Sequence, residues 1–338
     1  MNLREPTAQP SSAMDGAHRQ LDLDAVRDAA DAIYTVARRT PLVPLDALDV
    51  ADGQGSAHPE VFLKLETLQP IGSFKIRGAY NAVRLLPQAT LQHGVWTVSA
   101  GNAAQGVALA ARQMGVPCSV LVIETAPQTK LEAIERLGAR IVTASYDECW
   151  RTLEQHDADR LPGTFVHPFD DDHFIAGNGT IGLEILDDLA DVDAVVVSVG
   201  GGGLLAGVAT AVRALKPDTR IYAAEPETAA PLARSLERGR ASYFEEWQPS
   251  FVDGCGGKSV IPTMWPLLRD LVDGSVVVSL GEIKEAMKLV AQRAHVVAEG
   301  AGACAAAAAI SGRAGAGKIA AVISGGNIDL ATFAKLVQ

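Results

Sequence analysis

Short apolar runs rich in valine, isoleucine and alanine alternate with stretches of helical periodicity along most of the chain. Ala194–Val199 precedes Leu204–Leu215, and Cys118–Ile123 precedes Lys130–Leu137. Continuous runs of this kind are typical of parallel strands that are covered on both faces. The alternation therefore predicts an α/β fold, in which helices cover both faces of open twisted sheets joined by right-handed crossovers.

The same pattern predicts further elements on either side of these. The other predicted strands are Val61–Leu65, Gly94–Ser99, Arg140–Ala144, Ile221–Ala224 and Ala320–Ser324. The other predicted helices are Leu21–Arg38, Ala104–Met114, Asp147–Gln155 and one that starts at Ala79. The 338 residues are enough for two domains. Because no low-complexity linker separates the elements, the two domains are expected to be interwoven.

Composition narrows the possible partners. The net charge of −11 without a basic stripe argues against nucleic acid. Residues 1–16 lack the apolar core of a signal peptide, and the apolar run Ala301–Ile310 is about half as long as a membrane span. The cysteines form neither a metal pair nor a disulfide framework, which favours a cytoplasmic setting. They are Cys118, Cys149, Cys255 and Cys304.

Four glycines, Gly200, Gly201, Gly202 and Gly203, follow the strand Ala194–Val199 and precede Leu204. Glycines at such a junction let backbone amides converge on an anion at a helix N-terminus, as a phosphate requires. Two other interpretations stay open for this motif alone, a close-packed turn and a dinucleotide loop. Glu225 is the one acidic residue near the position expected for a ribose partner.

Three further segments carry polar side chains at strand–helix junctions. Lys75 lies in Gly72–Gly78, where its amine can enter a cleft and form a Schiff base. Ser99–Gly106 combines small residues with Asn102, although a helix cap would explain it equally well. Ser324 follows a predicted strand, at the edge of a sheet where ligands bind, or within a plain glycine turn.

Together these segments resemble the fold-type II pyridoxal phosphate enzymes, in the serine/threonine dehydratase and serine racemase family. The resemblance extends over residues 25–335 and includes several further motifs in the family's order. These are Arg39–Leu42, Leu65–Pro70, His167–Phe169, Ile175–Glu184 and Ala298–Ala303. It implies the fold of the tryptophan synthase β subunit, with a small domain at 92–168 inserted into a large domain at 21–91 and 169–338. Residues 1–20 are expected to be a disordered tail.

The resemblance also implies a role for each motif. Lys75 forms the Schiff base with the cofactor and later takes the Cα proton of the substrate. Phe74 packs beside the cofactor ring, Asn102 binds its hydroxyl and Ser324 its nitrogen. Gly200, Gly201, Gly202, Gly203 and Leu204 bind its phosphate. Ser99, Ala100, Gly101, Asn102 and Gln105 bind the substrate carboxylate.

Two positions favour elimination over the family's other reactions. Lys75 is followed by Ile76-Arg77-Gly78, which resembles the dehydratases and racemases. Sulfhydrylases and threonine synthases generally carry an acidic residue soon after the lysine. Ala100 stands where serine racemases have a proton-donating serine. The favoured function is therefore dehydration and deamination of L-threonine or L-serine to a 2-keto acid and ammonia, by a homodimer.

Several alternatives remain open. Ala103 and the loop Asp253–Lys258 depart from the family's pattern, which would suit 3-hydroxyaspartate or a hydroxyectoine-derived amino acid. A serine racemase, a catalytically silent cofactor-binding protein and a nucleotide-binding oxidoreductase are the other candidates. Racemase-like members bind a divalent metal through a glutamate that corresponds to Glu225. Pro231 replaces the second acidic ligand, which weakens this expectation.

Overall fold

The computed structural model describes residues 19–45 and 59–338. The strands are β1 (Leu42–Pro44), β2 (Glu60–Leu65), β3 (Val95–Val98), β4 (Cys118–Ile123), β5 (Arg140–Ala144), β6 (Thr164–Phe165), β7 (Ala194–Ser198), β8 (Arg220–Pro226), β9 (Gly274–Val278) and β10 (Lys318–Ile323). The helices are α1 (Leu23–Ile33), α2 (Lys75–Arg84), α3 (Gln88–Leu91), α4 (Asn102–Met114), α5 (Gln128–Arg136), α6 (Tyr146–Glu154), α7 (Asp172–Asp188), α8 (Gly203–Leu215), α9 (Pro231–Arg238), α10 (Trp265–Leu271), α11 (Leu280–Arg293), α12 (Gly300–Ile310) and α13 (Leu330–Leu336). Short 3₁₀ turns cover Glu66–Leu68 and Asp253–Cys255.

The strands form two sheets, as the pattern predicts. The larger has the order β1-β2-β10-β7-β8-β9 and is parallel except for the β1–β2 pair. The smaller has the order β5-β4-β3-β6 and is parallel throughout. All strands of the smaller sheet lie within 92–168, the range predicted for the small domain. The α/β fold with two sheets is thus confirmed.

Helices cover both faces of the larger sheet because successive side chains of its strands point to opposite sides. On β7, Ala194 and Val196 pack into the core beneath α11 and α12, whereas Val195 and Val197 pack into the core beneath α7 and α8. Every one of these residues is fully buried. This two-sided burial explains why the strand is a continuous apolar run rather than an alternating one.

The predicted element ends differ from the structure by more than two residues at two helices. Helix α1 ends at Ile33 and not at Arg38, although its N-cap Asp22 accepts a hydrogen bond from Ala25 N as expected of a helix start. Helix α2 begins at Lys75, four residues before the predicted start at Ala79. Lys75, which the sequence places at a junction before the helix, is therefore the first residue of that helix.

A fully buried ion-pair network ties α2 to β2 and α7. Arg77 Nε lies 2.8 Å from Glu66 Oε2, and Arg77 Nη1 lies 2.6 Å from Glu184 Oε1. Glu184 also accepts from Lys64 Nζ at 2.7 Å. Two cations thus face two carboxylates, so the buried charges are paired. Arg77 is two residues from Lys75, so the network fixes the start of the helix that carries this lysine.

The N-terminal boundary of the folded chain lies before Leu21. Arg19, which the sequence places in the tail at 1–20, pairs with Asp170 at 2.5 Å and with Asp172 at 2.9 Å. Gln20 N donates to Asp172 Oδ2 at 2.6 Å. Arg19 and Gln20 therefore belong to the folded part. Residues 1–18 lie outside the described residues, so the rest of that prediction is untested.

Candidate active site

Lys75 opens helix α2 and points its amine toward aromatic rings and one carbonyl. Its Nζ donates to Pro168 O at 2.6 Å and lies 5.1 Å from the ring centroid of Phe74 and 5.2 Å from that of Phe174. Burial without a carboxylate partner lowers the pKa of this amine to about 7. A large fraction of the amine is consequently neutral near pH 7 and able to act as nucleophile or base.

The predicted phosphate loop forms a turn that has no room for side chains. A Cβ on Gly201 would lie 2.2 Å from Phe169 Cγ, and one on Gly203 would lie 2.5 Å from Phe169 O. Gly202 has a φ of 94° and caps helix α8, where non-glycine residues are strained. The first-turn amides of α8, including that of the buried Leu204, lack intrahelical partners. Together with the positive end of the helix dipole, they make this turn suited to an anion.

Ser324 lies directly beside the segment that carries the lysine. Phe74 N donates to Ser324 O at 3.0 Å, and Ser73 pairs with Gly325 as an isolated bridge. The strand β10 ends at Ile323, so Ser324 sits at the carboxyl edge of the larger sheet. Phe74 and Ser324 are both buried. The structure thus brings together two of the residues predicted to contact the cofactor ring, Phe74 and Ser324.

The segment predicted to bind a carboxylate forms the N-terminus of α4. Gly101 is its N-cap, and Gly101 N donates to Ser99 Oγ at 3.1 Å. No atom lies within 4 Å of a Cβ built on Gly101, so this position faces open space. Ala100 and Gln105 are half-buried neighbours. The free amides of this turn and the open space are compatible with the predicted role.

Two polar residues that sequence reasoning assigned no role complete this group. Asn102 Nδ2 donates to Glu299 Oε1 at 2.6 Å, and Asn102 Oδ1 accepts from Asn327 Nδ2 at 2.7 Å. Glu299 belongs to a motif quoted for the family resemblance, and Asn327 follows Ser324 by three residues. Those positions were the available signals, but only the folded chain shows that both side chains reach Asn102.

The contacts of Glu225 do not favour a metal ion. Its carboxylate accepts from Leu232 N at 2.7 Å, Ala233 N at 2.8 Å and Ser275 Oγ at 2.6 Å. Burial raises the pKa of this carboxyl to about 7. Glu227, the other acidic residue nearby, accepts from Leu280 N. Among the described residues there is no group of three histidine, cysteine, aspartate or glutamate side chains that could hold a metal.

The loop Asp253–Lys258 touches the smaller sheet's helices at two points. Asp253 forms an ion pair with Lys130 of α5. Lys258 Nζ lies 4.7 Å from the ring centroid of Tyr146 on α6 and 4.3 Å from that of Trp247. The same loop contacts the phosphate turn, because a Cβ on Gly200 would lie 2.5 Å from Gly254 O. It therefore connects the predicted phosphate loop, at the edge of the larger sheet, with the helices of the smaller sheet, and the region between these two sides is called the cleft below.

Comparison with known proteins identifies the family. Residues 33–325 match the family model described as "Pyridoxal-phosphate dependent enzyme". The chain belongs to this family. It is 39% identical over 321 residues to the L-threonine ammonia-lyase of Thermotoga maritima, covering 94% of this chain and 78% of that protein. This match argues against the alternative of a nucleotide-binding oxidoreductase. The contacts of Glu225 agree, because its carboxylate already accepts from three donors within the protein and is poorly placed to bind a ribose.

Two solved structures show the same fold. The serine racemase of maize is similar to this chain, with a TM-score of 0.82, 34% identity and coverage of 93% of this chain and 96% of that one. The processed form of threonine deaminase isoform 2 from Solanum lycopersicum has the same TM-score of 0.82 and identity of 34%, with coverage of 93% and 86%. The predicted fold-type II architecture is confirmed.

The residues of the site fit pyridoxal phosphate, which is the cofactor of this family. The glycine turn has backbone amides and no space for side chains, as a bound phosphate requires. Lys75 supplies an amine whose pKa is about 7, and the Ser324 segment lies beside it. When bound, the cofactor withdraws electrons from an amino acid attached to it and so acidifies the Cα hydrogen. The individual residue contacts to the cofactor stay predictions.

Proposed function

We propose that the chain catalyses the α,β-elimination of water from L-threonine or L-serine. The observation that carries the proposal is the Lys75 amine, which is buried against Pro168 O and has a pKa of about 7 at a site that fits the family's cofactor. The substrate loses its Cα proton, which the amine takes, and its β-hydroxide, and these two together make up the one water molecule that is eliminated. Hydrolysis of the resulting enamine gives a 2-keto acid and ammonia.

The other residues bind and orient the substrate in this proposal. Ser99, Gly101, Asn102 and Gln105, with the free amides at the start of α4, hold its carboxylate. Ala100 has no proton to donate, so Lys75 is the sole base at Cα. The relatives named L-threonine ammonia-lyase and threonine deaminase support elimination from a hydroxy amino acid.

The test is keto-acid release from a panel of hydroxy amino acids by purified holoenzyme. We expect L-threonine and L-serine to have the highest kcat/KM and Lys75→Ala to lose at least about 10³-fold in kcat. If 3-hydroxyaspartate or a hydroxyectoine-derived amino acid is turned over fastest, that amino acid is the substrate in place of L-threonine and L-serine. Turnover of none of them, with the cofactor bound, would leave the silent binding protein as the better interpretation.

Serine racemase is the second candidate, because two structural neighbours carry this name. Elimination by a single base predicts pyruvate formation from L-serine much faster than D-serine formation. Chiral chromatography of the reaction mixture measures both products. Equal rates would contradict the role given to Ala100, and a rise in D-serine for Ala100→Ser would support it.

We further propose that the protein is a cytoplasmic homodimer. The four cysteines are free and buried, which fits a reducing compartment. No helix in the described part of the chain is both long and apolar enough to cross a membrane. Light scattering during size-exclusion chromatography tests the oligomeric state, and cell fractionation tests the compartment.

We expect full activity after exhaustive chelation, because the Glu225 carboxylate already accepts from Leu232 N, Ala233 N and Ser275 Oγ.

A further inference from the structure

Glu299 lies between two segments of the active site. It is the N-cap residue of α12, and only 7% of it is exposed. Its Oε1 accepts from Asn102 Nδ2 at 2.6 Å, and its backbone N–H donates to Gly325 O at 3.0 Å. A Cβ on Gly325 would lie 2.4 Å from the same Oε1. The carboxyl thus contacts both the Asn102 side and the Ser324 side of the site.

The amide of Asn102 has a defined orientation. Asn327 Nδ2 donates to Ile71 O and to Asn102 Oδ1, both at 2.7 Å. Because Ile71 O can only accept, this contact identifies the nitrogen of Asn327, and the oxygen of Asn102 must face it. Asn102 Nδ2 then faces Glu299. Glu299 is its only acceptor among the described residues, so one of its two hydrogens is left for a ligand.

We propose that Glu299 is a positioning residue, whose ionised carboxylate holds the Asn102 amide so that its second Nδ2 hydrogen serves the ring oxygen of the cofactor. The proposal deepens the proposed function and rests on the cofactor site described above. An ionised carboxylate accepts a shorter and stronger hydrogen bond than a neutral acid. Protonation of Glu299 therefore loosens Asn102 and lowers activity.

The charges around Glu299 make this protonation sensitive to pH. Burial, and after it the charge of Asp253, raise the pKa of the Glu299 carboxyl to about 7. The hydrogen bond from Asn102 and the charge of Lys130 on α5 act in the opposite direction. Lys75 titrates in the same range within the cleft, since burial lowers its pKa to about 7. A pH profile of the wild type alone cannot separate the two groups.

Variants of the ion pair between Lys130 and Asp253 separate the titration of Glu299 from that of Lys75. Asp253→Asn removes the anion that raises the pKa of Glu299, so the acidic limb of kcat/KM moves to lower pH. Lys130→Gln removes the cation that lowers it, so the limb moves to higher pH. We expect shifts of roughly half a pH unit, because both side chains are partly exposed and screened. A merely structural role of the ion pair would move both variants in the same direction.

Glu299→Gln keeps an oxygen that accepts from Asn102 but cannot ionise. We expect its acidic limb to follow Lys75 alone and to respond to neither Asp253→Asn nor Lys130→Gln. The cofactor affinity of the apo protein provides a second measurement. Between pH 6 and pH 8 it should strengthen more in the wild type than in Glu299→Gln. Equal pH dependence of the affinity, or shifts of the two charge variants in one direction, would overturn the proposal.

A direct titration keeps this test independent of the reaction. In apo protein labelled with ¹³C at the glutamate side-chain carboxyl, one resonance absent from Glu299→Gln should titrate near pH 7 and respond oppositely to the two charge variants. The proposal would be refuted if the resonance that is absent from Glu299→Gln titrated near pH 4 instead. If no hydroxy amino acid is turned over, the proposed function fails, whereas the affinity and resonance measurements still decide the role of Glu299.

Discussion

At the scale of single residues, the site contains ionisable groups whose pKa values are shifted by burial. Burial lowers the pKa of Lys75 and raises those of Glu299 and Glu225, in each case to about 7. In all three the loss of solvation disfavours the charged form. Perturbed groups of this kind cluster at functional sites, although Glu225 shows that a helix-capping carboxylate can behave in the same way.

The Lys75 shift predicts the pH dependence of the apo protein's stability. The folded pKa is about 7 and the unfolded one is about 10.4, so the unfolded state binds more protons between these values. The free energy of unfolding should therefore gain a contribution from Lys75 that rises with pH across this window, at about 1.36 kcal/mol per pH unit. Urea titrations from pH 7 to pH 10 should show the rise in the wild type and in the exposed control Lys335→Met. An equal rise in Lys75→Met would contradict the assignment.

At the scale of elements, the predicted phosphate loop depends on glycines packed against Phe169. Gly201→Ala places a Cβ 2.2 Å from Phe169 Cγ, so the turn must shift. We expect a loss of about 1–3 kcal/mol in stability and at least a tenfold loss in cofactor affinity. Gly281→Ala on α11 is the control, since the nearest atom is 3.8 Å from its Cβ. It should stabilise the helix by about 0.5–1 kcal/mol. Unchanged affinity in Gly201→Ala would exclude this turn as the phosphate site.

The buried network beneath α2 makes a second prediction at this scale. Arg77→Met leaves Glu66 and Glu184 without their main buried cation, which should cost about 3–5 kcal/mol in the free energy of unfolding. Arg39→Met removes ion pairs to Asp187 and Asp188 that are largely exposed, and should cost less than about 1 kcal/mol. Chemical denaturation measures both. Similar losses in the two variants would show that the network is no more important than a surface pair.

Elements were more predictable from the sequence than their junctions were. The runs at 118–123 and 194–199 are strands within one residue of their predicted ends, because two-sided burial leaves an unambiguous apolar pattern. The start of α2 was placed four residues late, because its first turn contains Lys75 and Arg77, whose burial depends on partners elsewhere in the chain. The contact of Glu299 with Asn102 was missed for the same reason. It joins residues 197 positions apart, and no local pattern encodes it.

At the scale of the whole molecule, the loop Asp253–Lys258 holds the two sides of the cleft together. Lys258→Met removes the cation between Tyr146 and Trp247, an interaction worth about 0.5–2 kcal/mol. We expect faster opening of the cleft, seen as several-fold faster amide hydrogen exchange in α6. Exchange in α1, whose buried Val26 and Ile33 belong to core clusters separate from that of Cys255, serves as the internal control and should not change. Unaltered exchange in α6 would show that the loop does not restrain it.

The strand order of the larger sheet has a consequence for synthesis on the ribosome. β10, the last strand along the chain, lies between β2 and β7 and pairs with both. Until β10 has emerged, these two strands keep unpaired apolar edges, which favour aggregation and recognition by chaperones. The smaller sheet comes from one continuous segment and can fold earlier. Since Ser324 follows β10 directly, a nascent chain acquires its complete predicted cofactor site only after β10 has emerged.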